Sequence, residues 1–159
     1  NVIVEQIIKE KKLSEAKIGE NFRTRATIVK IFDPKHFEVC PECGKKAENS
    51  ECKTHGHIKP SRRALLTCIL DDGTETIKST LFGEQIGKLG LTDEQISSPE
   101  EYQKQKNNLL GEEKTFTGHI KNNEAFQTQE FNISKVDPVH AAELIKNLES
   151  KIKSITPTQ

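Results

Sequence analysis

Residues 63–82 read RALLTCILDDGTETIKSTLF. Arg63 to Leu70 is an apolar run, Asp71-Asp72-Gly73 is a turn signal, and Glu75 to Phe82 is a returning run with β-branched residues. Two such runs joined by an Asp-Gly turn predict an antiparallel hairpin. Upstream, Phe22 to Phe32 carries Thr24, Thr27, Ile28, Val29 and Ile31 and is stopped by Asp33-Pro34, which predicts a strand. Downstream, residues 83–89 read as a helical stretch closed near Gly90. Thr92, with Gln95 three positions on, caps a short helix. Ser98-Pro99-Glu100-Glu101 is the stronger start signal, opening a helix that runs to about Leu110 and stops at Gly111. Residues 114–121 and Phe126 to Val136 predict a second hairpin, with its turn at Asn122-Asn123.

Working outward to the ends, residues 1–13 read as a helix, because Val4, Ile7 and Ile8 recur at helical spacing. Asp137-Pro138 is expected to cap a last helix through about residue 152, on which Ala141, Leu144, Ile145, Leu148, Ile152 and Ile155 form an apolar seam. Phe32, Phe116 and Phe131 are expected in the core, and Cys68 as a small buried apolar residue. The resulting class is mainly β: a five-stranded barrel of the OB type, with an insertion after the first strand and a C-terminal helix. The expected division is an N-terminal helix or linker over 1–18, the barrel over 19–137 with its insertion over 34–61, and the C-terminal helix over 138–155.

The insertion carries the most specific pattern. Cys40 and Cys43 are two residues apart, eight residues follow, and Cys52 and His55 are again two apart. Two close pairs can each grip one ion from a tight turn, and Gly44 and Gly56 permit those turns. Thiolates with one imidazole favour zinc. Four protein donors leave no open position for water, so the ion is structural. His57 is a rival to His55 for the fourth place.

The chain has 24 Lys+Arg and 24 Asp+Glu, so any nucleic-acid surface has to be local rather than global. Lys59, Arg62 and Arg63 cluster where the chain leaves the insertion, Lys30 and Lys35 lie at the exit of the first strand, and Lys121 lies near the second hairpin. Together they form a candidate phosphate track. No run of 18 apolar residues exists, which argues against a membrane protein. An enzyme is not expected: Asp71-Asp72 serve a turn, Glu100-Glu101 a helix start, and neither His119 nor His140 has a cluster partner at ligand spacing. No small-molecule substrate is indicated. The first residue is Asn1 and the chain contains no Met, which suggests a piece of a longer intracellular protein.

These features together resemble the large subunit of replication protein A, specifically its C-terminal DNA-binding domain. KIGENFRTRATIVKI (17–31), the CPEC and CKTHG pairs, the hairpin LLTCILDDGTETIKSTLFGE (65–84) and FNISKVDP (131–138) carry the resemblance, over roughly residues 13–150. The Cys3His set looks more like an archaeal member. The resemblance implies single-stranded DNA binding in replication, repair and recombination, without catalysis. By position it implies that Phe82 and Phe126 stack on bases, that Lys78 stands where relatives have a ring, and that the last helix joins other subunits of a heterotrimer. It implies a cytoplasmic location if the protein is archaeal, nuclear if eukaryotic. The competing expectation is an assembly module that trimerises through the C-terminal helix, with little DNA affinity of its own, and self-association through that helix is the alternative to a heterotrimer.

Overall fold

Alternating burial along the central hairpin, with Leu66, Cys68 and Leu70 turned inward and their neighbours outward, sets the layer from which the rest is built. The computed structural model describes residues 8–125 and 127–139. Strand β1 is Lys9–Glu10, β2 Asn21–Ile31, β3 Lys35–Val39, β4 Glu51–Cys52, β5 Gly56–His57, β6 Ser61–Asp71, β7 Thr76–Phe82, β8 Glu113–Asn123 and β9 Thr128–Pro138. Helices α1 (Glu84–Leu89), α2 (Asp93–Ser97) and α3 (Pro99–Leu109) lie between β7 and β8.

Five strands close a hydrogen-bonded ring. β2 pairs with β8, β8 with β9, β9 with β7, β7 with β6, and β6 returns to β2. The β7–β9 pair is parallel and the other four are antiparallel. Inside it, Leu66, Cys68 and Leu70 of β6 alternate with outward-facing neighbours and are fully buried. Phe22 and Phe131 stack across the interior with ring centroids 5.0 Å apart, a contact worth about 0.5–1.5 kcal/mol beyond its area. Phe116 is buried as expected. Burial without a partner pushes the Cys68 thiol up to about 12, so it stays a neutral packing group.

The three helices join the core of this ring through Ile86, Leu89, Ile96, Tyr102 and Leu109, with Leu91 of the α1–α2 link, all buried. The start signals rank differently from the sequence expectation. Thr92 and Gln95 make a complete capping box, each side chain bonding the other's backbone N–H. Ser98 occupies the cap position of α3 with Pro99 next, but its hydroxyl makes no cap bond.

Several expected elements are corrected. Lys9–Glu10 is not the end of a helix: it is a strand parallel to β2, at Phe22 and Arg23. Ladder bonds, the Arg23–Glu10 ion pair at 3.2 Å and the Lys11–Glu20 pair outweigh helical spacing there. Residues 1–7 lie outside the described residues. Asn122 and Asn123 are not the turn. They pair with Gln129 and Thr128, so the reversal comes after them, with Gln127 at φ 51°. Asp137 and Pro138 do not start a helix. They end β9, opposite Thr115 and Lys114. The expected helix beyond them, with Ala141, Leu144, Ile145, Leu148 and Ile152, lies outside the described residues.

Among the described residues, no helix is long and apolar enough to cross a membrane.

Candidate metal centre and nucleic-acid face

The insertion begins as sheet. β3 pairs along its length with β6, from Lys35 opposite Leu65 to Val39 opposite Ser61. The cysteine segment therefore sits at the tip of a two-stranded extension of the ring. There the chain turns at Cys40–Gly44, with the Gly44 N–H bonded to the Cys40 carbonyl at 2.8 Å and Gly44 at φ 74°. The second turn lies between β4 and β5, which pair at Cys52 and Gly56.

These turns bring Cys40, Cys43, Cys52 and His55 together, with all four donor atoms within 4.8 Å of one another. His55 Nδ1 is 3.5 Å from Cys40 Sγ and 3.6 Å from Cys52 Sγ, and Cys43 Sγ is 3.6 Å from Cys52 Sγ. A tetrahedral zinc site has Zn–S bonds of about 2.3 Å and a Zn–N bond of about 2.0 Å, so its edges are about 3.8 Å between sulfurs and about 3.5 Å from sulfur to nitrogen. The cluster fits that size. It does not fit a disulfide, which needs sulfurs about 2.05 Å apart, and all four cysteines of the chain are free. The N–H groups of His55 and Thr54, together with the His55 ring, pull the Cys52 thiol down to about 6, so a thiolate is available at neutral pH. At Cys43 the Lys45 N–H lowers the thiol, but desolvation and the neighbouring sulfurs raise it by more. His57 is outside the cluster; it pairs through its backbone with Glu51.

A second feature lies on the outer face of the ring. Residues directly opposite in a ladder share a face. Lys30, Ile69, Lys78, Glu130 and Lys121 form one continuous row across β2, β6, β7, β9 and β8. The next row holds Thr67, Thr80 and Asn132, and Phe32 joins it by bonding its N–H to the Thr67 carbonyl at 2.9 Å. Lys35, Leu65 and Phe82 form a third row, and Phe37 opposite Arg63 a fourth.

This face collects rings and cations. Phe32 is 37% and Phe82 40% exposed, and Phe37 is half-buried. Phe37 meets Phe82 edge to face at 6.3 Å between centroids. Lys30 Nζ lies 4.8 Å from the centre of the Phe32 ring. Phe32 is thus corrected from core to surface. The register shift between Ile28 and Lys30 leaves Ile31 pointing inward and Phe32 outward. Phe37 was missed by sequence reasoning. Its signal, a ring in a short alternating run beside Lys35, was masked by the polar insertion around it.

The other candidate residues divide. Lys30, Lys35, Arg63, Lys78, Phe82 and Lys121 share this face. Arg62 has the opposite parity on β6 and stands beside Glu38. Lys59 is exposed in the link between β5 and β6. Lys78 pairs with Glu130 at 3.6 Å, which offsets its charge. Phe126 lies outside the described residues. A groove of about 470 Å³, lined by Glu75, Thr76, Ile77, Lys78, Thr128 and Gln129, continues the face towards the β8–β9 turn.

Neither a family model nor a curated protein matches the chain. Solved structures do match. A structure of yeast RPA bound to single-stranded DNA aligns over 96% of this chain and 100% of that chain, with TM-score 0.70 and 17% identity. The fold is OB-like. A replication protein A heterotrimer bound to single-stranded DNA aligns over 86% of this chain with TM-score 0.67 and 20% identity, and this chain spans 36% of that one. The solution structure of the second OB-fold domain of replication protein A from Methanococcus maripaludis aligns over 82% of this chain and 95% of its own, with TM-score 0.50 and 15% identity. The chain is a distant OB-fold domain that resembles those of replication protein A, with a Cys3His cluster able to coordinate a metal ion.

Proposed function

We propose that this domain binds single-stranded DNA on the outer face of β2, β3, β6 and β7, as one closed-barrel module of a replication protein A-like assembly that serves replication, repair and recombination. The observation that carries this reading is the grouping of Phe32, Phe37 and Phe82 with Lys30, Lys35 and Arg63 on one face of an OB-like ring. Bases stack on rings regardless of sequence, at about 1–3 kcal/mol each, while cations follow the phosphates. Glu130 between Lys78 and Lys121 makes that end of the face less cationic, so the strand is expected to run mainly past Lys30, Phe32, Phe82, Phe37 and Arg63. Lys59 and Arg62 supply further phosphate contacts at the edge.

The Cys3His cluster holds a structural zinc ion: three thiolates and one imidazole fill the four positions. Its role is to fold the tip of the β3–β6 extension beside the DNA face. The domain needs no catalytic group for this work. Contact with other subunits is assigned to the seam of Ala141, Leu144, Ile145, Leu148 and Ile152, in line with the heterotrimer among the similar structures. The test is titration of the full chain with a labelled oligonucleotide at two salt concentrations. Binding that weakens with added salt and with loss of the rings supports the reading, and the absence of binding at both salts by zinc-loaded protein refutes it.

A further inference from the structure

We infer that Glu42 is the positioning residue that orients His55 for the metal, an inference that rests on reading the Cys3His cluster as a metal centre. His55 presents its two ring nitrogens to different partners. Nδ1 faces the thiols of Cys40 and Cys52, and Nε2 lies 3.3 Å from Glu42 Oε2. A neutral imidazole has one N–H and one lone pair, on different nitrogens. A carboxylate accepts only, so it requires the N–H to be on Nε2. The lone pair is then on Nδ1, aimed into the cluster.

The location of Glu42 makes this contact effective although the side chain is 66% exposed. It sits between Cys40 and Cys43 in the first turn, so two ligands on either side fix its backbone. His55 comes from the second turn. The contact therefore ties one knuckle to the other and also raises the donor strength of the ring, as carboxylates behind metal-bound histidines do. It gives His55 what His57 lacks: among the described residues, no carboxylate pairs with His57, and its ring is outside the donor cluster.

The test is zinc affinity of the full chain against a chromophoric chelator, for the wild type, Glu42→Ala and Glu42→Gln. Each is read alongside the ring nitrogens of His55 by two-bond proton–nitrogen correlation. Glu42→Ala is expected to weaken zinc binding by about tenfold, the lower end of the effect of such partners, and to expose the Nε2–H to faster solvent exchange. Glu42→Gln keeps an oxygen that can accept the same proton and is expected to stay close to wild type in both readings. An alanine variant with unchanged affinity and unchanged Nε2–H exchange would overturn the role of Glu42, as would a metal bound through Nε2. A wild-type chain that binds no zinc would instead overturn the metal centre itself.

Discussion

The carboxylate of Asp72 accepts a hydrogen bond from the backbone N–H of Leu13 at 2.7 Å, across 59 residues of chain. Its other oxygen accepts from the N–H of Thr74 at 2.9 Å, the N–H of Glu75 at 3.1 Å and the Thr74 hydroxyl. One side chain thus shapes the β6–β7 turn and pins the N-terminal segment, whose Leu13 is buried in the core. Asp72→Ala is expected to destabilise the domain by about 1–3 kcal/mol in denaturant unfolding, from loss of charge-assisted bonds. Partial burial pushes the Asp72 carboxyl up, but the Thr74 hydroxyl and the three N–H groups outweigh it and hold the carboxyl below its ordinary value. A carboxyl lowered on folding adds stability above its unfolded value, and that stability is lost as pH falls through the folded value. Acid loosening of the N-terminal segment should therefore begin as pH drops below about 4 and should be absent in the alanine variant.

Gly118 on β8 lies between Phe22 and Ile133, beside the bulge that Ser134 makes in β9. A Cβ there would sit 2.0 Å from the Asn132 carbonyl oxygen and 3.0 Å from the Ile133 Cα, both backbone atoms that cannot swing away. Gly118→Ala is expected to destabilise by about 3 kcal/mol. A midpoint in urea matching wild type would show that the two strands can separate locally.

Tyr102 on α3 donates its hydroxyl to the carbonyl of Phe32. The helix layer thereby braces the point where β2 ends and the first exposed ring begins. Tyr102→Phe is expected to reduce stability by about 1 kcal/mol and to weaken oligonucleotide binding severalfold without touching DNA. Burial, with the charge of Asp33, pushes the phenol up to about 12. A group raised on folding gives stability that is present below its unfolded value, near 10.0, and lost as pH rises through the folded value. The phenylalanine variant should lose that part of the alkaline decline and keep the part due to Cys68.

The Cys3His tip and the ring have separate interiors. Val39, Cys40, Ala47 and Cys52 are buried, yet none belongs to the core cluster of the ring. Chelation, or Cys40→Ser, should release amide protection over residues 40–57 while Phe22, Leu66, Phe116 and Phe131 stay protected. Global unfolding on chelation would mean that the two are one cooperative unit.

The sequence was legible where local rules and tertiary packing agree. The Ala64–Leu70 apolar run, the reversal signalled by Asp72-Gly73 and the paired spacing of Cys40, Cys43, Cys52 and His55 each act within a few residues, and the strand, the hairpin and the four-residue cluster follow from them. It was illegible where distant partners decide. Lys9–Glu10 pairs with a strand that begins eleven residues later. Phe32 leaves the core because of a bulge three residues earlier. Asp137-Pro138 reads locally as a helix start, but β8 offers a partner as far as Lys114, and Pro at the last strand position forfeits no essential ladder bond. At the site, the cations on the strands were visible as types and positions. Which of them share a face depends on parity across five strands, which separates Arg62 from Arg63.

The most direct measurement is a salt series of oligonucleotide binding by the zinc-loaded full chain and by its Phe37→Ala/Phe82→Ala variant. Contacts to Lys30, Lys35, Lys59, Arg62 and Arg63 predict that log affinity falls with log salt at a slope of about −3.5. Loss of two stacking rings predicts affinity lower by about thirtyfold or more at every salt. Equal binding by both proteins, or a wild-type affinity that does not respond to salt, would contradict a DNA face on β2, β3, β6 and β7.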